Sequence, residues 1–214
     1  MRLIGNRKHQ GQELMPAGLP FVVEPMTLAD VDEVMRIERD AFPAPWSARA
    51  YRYEIAENEH STMRVVRPSQ ASGTWLTALL HRFDFIGPGP VLGYAGCWLL
   101  VDDVHISTIA VHPQWRGKGL GELLLISLLD RGAELGALGA TLEVRVSNLA
   151  AQGLYHKVGF KIVSLQKHYY ADNDEDAYIM VTPPFEALEF QANLRQRRNQ
   201  LTSRFLAEGA VRQQ

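Results

Sequence analysis

The feature that most constrains this chain is a glycine-rich bend, Arg116-Gly117-Lys118-Gly119-Leu120-Gly121. A β-branched run, His105 to Val111, precedes it, and an apolar stretch from about Leu120 to Leu135 follows. Glycines let a backbone turn tightly and approach an anion closely. The first amides of a helix have no partner within the helix and can point at a phosphate. Strand, glycine bend and helix therefore predict a phosphate-binding turn, with charge from Arg116 and Lys118. A glycine-rich turn without a ligand is the plainer alternative. A P-loop is excluded because Gly121 is followed by Glu122 rather than Lys. A Rossmann fingerprint fails at its third glycine, since Gly117, Gly119 and Gly121 are spaced two and two.

Around the bend the pattern alternates between strands and helices. Phe21 to Glu24 reads as a short strand. Thr27 to Asp30 has the form of a helix start, and apolar Leu28, Val31, Val34, Met35 and Ile37 carry a first helix to about Arg39. Phe42-Pro43-Ala44-Pro45-Trp46 breaks it. Ser47 is placed to cap a second helix through Ile55. Thr62–Arg67, Val91–Val101 and His105–Val111 read as strands, with an insertion over 68–90. In the helix after the bend, Leu123, Leu124, Ser127, Leu128 and Ala133 are expected on the buried side. A strand (Thr141–Val146), a helix (Asn148–Val158), a strand from Gly159 and a last strand (Ala177–Val181) complete the order. The expectation is an α/β fold: a single domain over 20–183 with a mixed sheet and helices on both faces. An arm (1–19) precedes it and a helical, arginine-bearing tail (184–214) follows.

Composition narrows the function classes. With 46% hydrophobic and 21% charged residues, the chain reads as water-soluble and globular. A formal charge of -2 gives no general pull toward nucleic acid or anionic membrane. A single cysteine, Cys97, excludes an internal disulfide and a Cys-rich zinc site, and its apolar strand setting favours inert burial. His105 and His112 have no metal-ligand spacing, so no metal is expected. No run is apolar enough for a membrane span or a signal segment, and a cytoplasmic location is expected.

An apolar strand, a His-Pro turn and then R-x-x-G-x-G, carried by Arg116, Gly119 and Gly121, resembles the coenzyme A turn of the GNAT acetyltransferases. The resemblance implies that amides from Gly117 through Lys118, Gly119, Leu120 and Gly121 to Glu122 hold the pyrophosphate of acetyl-CoA. It implies that Ile109, Ala110 and Val111, on a splayed central strand, bond the pantetheine arm. Further on come Leu142-Glu143-Val144-Arg145-Val146-Ser147-Asn148, Leu154-Tyr155-His156-Lys157-Val158-Gly159-Phe160, His168-Tyr169-Tyr170 and Glu175-Asp176-Ala177. This ordered set resembles the RimI-like group, bacterial enzymes that acetylate the N-terminal alanine of a small-subunit ribosomal protein.

Transfer of an acetyl group from a thioester to an amine requires loss of a proton from the ammonium, stabilisation of negative charge on the carbonyl oxygen, and protonation of the departing thiolate. An α-amine, with a reference pKa of about 7.7–8.0, is roughly a tenth neutral near pH 7, so a modest base suffices. Glu143 near the end of a central strand is the candidate base, and the resemblance points to the same position. Tyr155 is the candidate acid. Asn148 is a candidate cofactor contact or a simple helix cap, and Glu143 could instead pair with Arg145. Trp46, Tyr169 and Tyr170 are candidate walls of a peptide groove or core aromatics. A protein N-terminus is the expected partner, that of a ribosomal protein by the resemblance, with no direct nucleic-acid contact. Acetylation of another amine, or a non-catalytic acyl-CoA sensor, remain open alternatives.

Overall fold

The computed structural model describes residues 19–69 and 89–211. Most of the expected arm and of the 68–90 insertion therefore lie outside the described residues. The chain order is β1 (Phe21–Pro25), a 3-10 turn (Leu28–Asp30), α1 (Val31–Ala41), α2 (Ala48–Ala56), β2 (Ser61–Pro68), β3 (Gly93–Leu100) and β4 (Asp103–Val111). A second 3-10 turn (Pro113–Trp115) follows, then α3 (Leu120–Glu134), β5 (Gly139–Arg145), α4 (Leu149–Val158), β6 (Lys161–Tyr170), β7 (Glu175–Val181) and α5 (Leu188–Val211).

Local chemistry sets the boundaries. The Thr27 amide and hydroxyl both donate to the Asp30 carboxylate, at 2.8 and 3.0 Å, which starts the first helical segment. Ser47 Oγ accepts the Ala50 amide at 3.1 Å and caps α2. Gly159, with φ of 117°, ends α4 in the left-handed conformation that glycine adopts without a Cβ clash.

The strands form a 7-stranded sheet in the order β1-β2-β3-β4-β5-β7-β6. All neighbours are antiparallel except β4 and β5, the parallel pair that α3 connects. That pair stays in register only from Asp103↔Gly139 to His105↔Thr141. Beyond it the strands separate, so the expected splay lies at the centre of the sheet.

On β4 the register against β3 passes from Cys97↔Ile106 to Gly96↔Thr108, which leaves Ser107 as a bulge. The extra residue exchanges the faces of the strand. Before it, Val104 and Ile106 join the core under α3; after it, Ala110 joins the core beneath α1 and α2 with Tyr51, Met63, Val65 and Tyr94.

Helix α3 is buried nearly all round, from Leu120 through Leu129, because α5 covers the side away from the sheet. The one-sided burial expected of it was too narrow. Ala133 is exposed and Gly132 faces the sheet instead; a Cβ there would collide with Val104 Cγ2. Helix α5 adds Phe190, Leu194, Leu201 and Phe205 to the same core. Strand β6 runs to Tyr170 and is exposed along almost its whole length as the sheet edge.

Candidate active site

The glycine bend sits immediately past the open end of β4. Gly117 and Gly119 have φ of 73° and 90°, the left-handed region that favours glycine. Gly119 caps α3, and the first helical bond runs from the Leu123 amide to the Gly119 carbonyl at 3.0 Å. Among the described residues, the amides of 117–122 find no acceptor. Six consecutive unpaired N–H groups at a helix start form an anion cradle. Arg116 Nε braces the bend by donating to the Val111 carbonyl at 3.0 Å, and Lys118 Nζ lies 4.4 Å from the Trp115 ring centroid.

Strand alternation then decides which backbone groups face the gap. The His112 amide donates to the Leu92 carbonyl at 2.9 Å on the β3 side. Residues two apart share that direction, so Ala110 turns its backbone to β3, and Ile109 and Val111 turn theirs into the splay. Of the three residues expected to face the gap, Ala110 thus turns its backbone groups away from it; its side chain is buried among the α1–α2 core residues.

Glu143 lies on β5 two residues beyond the last β4 pairing, where the strands part. Leu142 and Val144 point into the α3 core, so Glu143 projects to the other face. Its Oε2 is 3.3 Å from His105 Nε2, across the opening. Burial raises the Tyr169 pKa, and the Glu143 carboxylate, to which the Tyr169 hydroxyl is hydrogen-bonded, raises it further. The alternative partner, Arg145, is committed elsewhere. It donates to Asp172 at 2.7 and 2.9 Å and to Glu175 at 3.1 Å, and it lies 3.8 Å from the Tyr170 ring centroid. These contacts tie the β6–β7 hairpin to the end of β5.

A row of rings continues from His105. Trp98 stacks on it at 5.6 Å, and Trp46 stacks on Trp98 at 5.9 Å. Trp98 Nε1 donates to Glu54 Oε2 at 2.7 Å. Trp46 is held by its amide, which donates to Glu38 Oε1 at 2.7 Å. Glu38 is buried and also accepts the hydroxyls of Tyr51 and Tyr94. Burial pushes its carboxyl above the usual carboxylate range, and the Trp46 and Tyr51 donors oppose that shift. Trp46, His105, Glu143, Tyr169 and Tyr170 thus line one face beside the splay. His105 has no metal-ligand spacing in the sequence; its place at the last paired position of β4, opposite Thr141, is what brings it to Glu143.

Tyr155 is buried in the α3-side core, 5.8 Å from the Phe160 ring. Burial raises its pKa strongly, with nearby Tyr170 adding to the effect, so its hydroxyl keeps its proton. Asn148 Oδ1 accepts the Ala151 amide at 3.1 Å and caps α4, which favours its plainer reading over a cofactor contact. The Glu122 amide belongs to the cradle, while its buried side chain pairs with Lys157 and Arg197 at 2.5 and 2.7 Å. Cys97 is buried, with its thiol pushed up to about 12 by desolvation.

The central parallel pair parts beside a helix start whose amides find no acceptor among the described residues, with a carboxylate at the parting, and this is the architecture of an acyl-transfer fold. The model of the acetyltransferase (GNAT) family matches residues 31–160, and the chain belongs to that family. A Bacillus subtilis protein, provisionally named a ribosomal protein bS18-alanine N-acetyltransferase, is 37% identical over 158 residues, covering 74% of this chain and 92% of its own. The crystal structure of the ribosomal-protein-S18-alanine N-acetyltransferase from Escherichia coli superposes with a TM-score of 0.61 at 26% identity, over 78% of this chain and 98% of that one. Arabidopsis thaliana NAA60, solved with acetyl-CoA, shares the fold with a TM-score of 0.64 at 15% identity, over 78% and 99%.

Proposed function

We propose that this protein transfers the acetyl group of acetyl-CoA to the α-amine of a protein N-terminus, with the N-terminal alanine of a small-subunit ribosomal protein as substrate. The observation that carries the reading is the junction at His105 and Thr141, where the sheet opens between a cradle of six unpaired amides and the Glu143 carboxylate. The relatives named for bS18-alanine acetylation support the choice of substrate. The cytoplasm, where ribosomal proteins are made, is the fitting location; among the described residues no helix is long and apolar enough to cross a membrane.

The cradle fits a doubly charged diphosphate, since donors at a helix start favour anions and none needs to break an existing bond. The backbone groups of Ile109 and the Val111 amide fit an amide-bearing chain lying in the gap, the Val111 carbonyl being held by Arg116 Nε, and acetyl-CoA supplies the activated acetyl group. Glu143 accepts the proton of the incoming ammonium, directly or through a water shared with His105. Tyr155, kept protonated by burial, donates to the departing thiolate. Trp46, Tyr169 and Tyr170 wall the approach of the peptide. No acyl-enzyme is involved, because Cys97 is buried and its thiol is held protonated.

The test is a peptide panel with Ala, Ser or Met at the N-terminus, with and without internal lysine, and mass-spectrometric mapping of the products. Acetyl on the α-amine, with alanine preferred, is the expected result. Acetyl on lysine, or no turnover despite coenzyme binding, would replace this reading with one of the two alternatives.

A further inference from the structure

Helix α5 lies beyond the residues matched by the family model, yet it is packed against the anion cradle. Leu201 sits so close to Gly119 that a Cβ there would lie 2.8 Å from Leu201 Cδ2. One turn on, Phe205 is fully buried against Phe21, at 5.2 Å, and Phe21 in turn meets Trp115 at 5.8 Å. Trp115 is the ring beneath Lys118. The end of α5 thus touches both flanks of the bend. Between Leu201 and Phe205, Arg204 donates from its guanidinium to the Gly117 carbonyl at 2.8 Å.

We infer that α5 is part of the acyl-CoA site in this protein, with Arg204 as a positioning residue for the diphosphate cradle. The inference rests on the acetyl-CoA reading above. A peptide group is planar and trans, so its C=O and the next N–H point in opposite directions. Holding the Gly117 carbonyl on Arg204 turns the Lys118 amide away from α5. It also neutralises a carbonyl whose partial negative charge would oppose an arriving phosphate. No glycine side chain holds this peptide plane, and a Cβ on Gly117 would meet nothing within 4 Å, so the contact from α5 supplies what the bend lacks.

A second residue of α5 acts in the same sense. Glu122 stands in the first turn of α3, where a free carboxylate would repel a diphosphate. Arg197 from α5 and Lys157 from α4 both pair with it, and it is 3% exposed. Arg204 and Arg197 of α5 therefore pair two acceptors at the cradle, the Gly117 carbonyl and the Glu122 carboxylate.

The experiment uses the full chain with Arg204→Met, which keeps the apolar stem and helix propensity but removes the donor, and Arg204→Lys, which keeps a cationic donor. Each is assayed with acetyl-CoA and with acetyl-pantetheine, which lacks the nucleotide and its diphosphate. Arg204→Met should raise the KM for acetyl-CoA about tenfold, or about 1.4 kcal/mol. The kcat and the peptide KM should stay within about twofold, acetyl-pantetheine kcat/KM should be unchanged, and Arg204→Lys should recover most of the loss. An unchanged acetyl-CoA KM in folded Arg204→Met, or equal losses with both donors, would overturn the inference. Failure of the unmodified protein to use or bind acetyl-CoA would instead refute the acetyl-CoA reading on which it rests.

Discussion

Replacing Glu143 by Gln keeps the side-chain shape and a hydrogen-bonding carbonyl but removes the base. The size of its effect follows from the geometry and from the nucleophile. Glu143 is about one-fifth exposed, beside His105 at the mouth of the splay, so it can reach an incoming amine. A positioned base contributes about 10²–10⁴-fold. The lower end applies here, because an α-amine with a pKa of about 8 is already partly neutral at neutral pH. The loss of kcat/KM should be about 10²-fold near pH 6.5. It should shrink to a few-fold near pH 9, where about nine-tenths of the amine is neutral without help. The assay is steady-state acetylation of an alanine-starting peptide from pH 6 to 9.5, with acetyl-CoA saturating. The same peptide with a lysine nucleophile should show no such recovery in this range, since its amine stays protonated. A loss of the same size at every pH would mean that Glu143 orients the substrate rather than taking its proton. No loss at any pH would remove it from the chemistry.

Tyr155→Phe should lower kcat about 10²-fold with little change in either KM, since only the hydroxyl is lost from a buried ring; a change confined to stability would make Tyr155 a core residue. Trp46→Ala should raise the peptide KM several-fold while the acetyl-CoA KM holds, as read from initial rates with each substrate varied. Gly119→Ala combines a left-handed φ of 90° with a Cβ 2.8 Å from Leu201, and should cost about 1–3 kcal/mol by denaturant unfolding together with coenzyme affinity. Glu175 accepts the Ser147 amide at 2.9 Å and an Arg145 N–H at 3.1 Å; these bonds, the Ser147 ones foremost, pull its pKa down to about 2. Its stabilising contribution is therefore present above the ordinary carboxylate pKa of about 4.3 and is lost as pH falls toward about 2. Glu175→Gln should flatten that part of an acid-unfolding curve.

Much of this site is legible in the chain because its parts are local. The bend declares itself through three glycines between a β-branched run and an apolar helix, and the caps at Ser47 and Asn148 need only their own first turns. Glu143 is readable because alternation with the buried Leu142 and Val144 fixes its face. What escapes is set by contacts between distant segments. His105 acquires meaning only from the register that brings it opposite Thr141. Ala110 turns its backbone toward β3 after a one-residue bulge at Ser107 that no local pattern marks. The end of strand β6 is not legible because an edge strand exposed along almost its whole length shows no clear alternation. Helix α5 reads as a helical, arginine-bearing tail, and nothing local shows that Arg197, Arg198 and Arg204 each meet a partner on α3 or on the bend before it. The continuous apolar run Leu123-Leu124-Leu125-Ile126 was the one hint that α3 needs cover on both sides.

The most direct test of the account is amide hydrogen exchange, followed residue by residue with and without coenzyme A. The amides of 117–122 have no acceptor among the described residues, so they should exchange fast and become the most strongly protected on adding coenzyme A, with smaller gains at Ile109 and Val111. Tight binding that leaves those six amides exchanging as before would contradict the central claim.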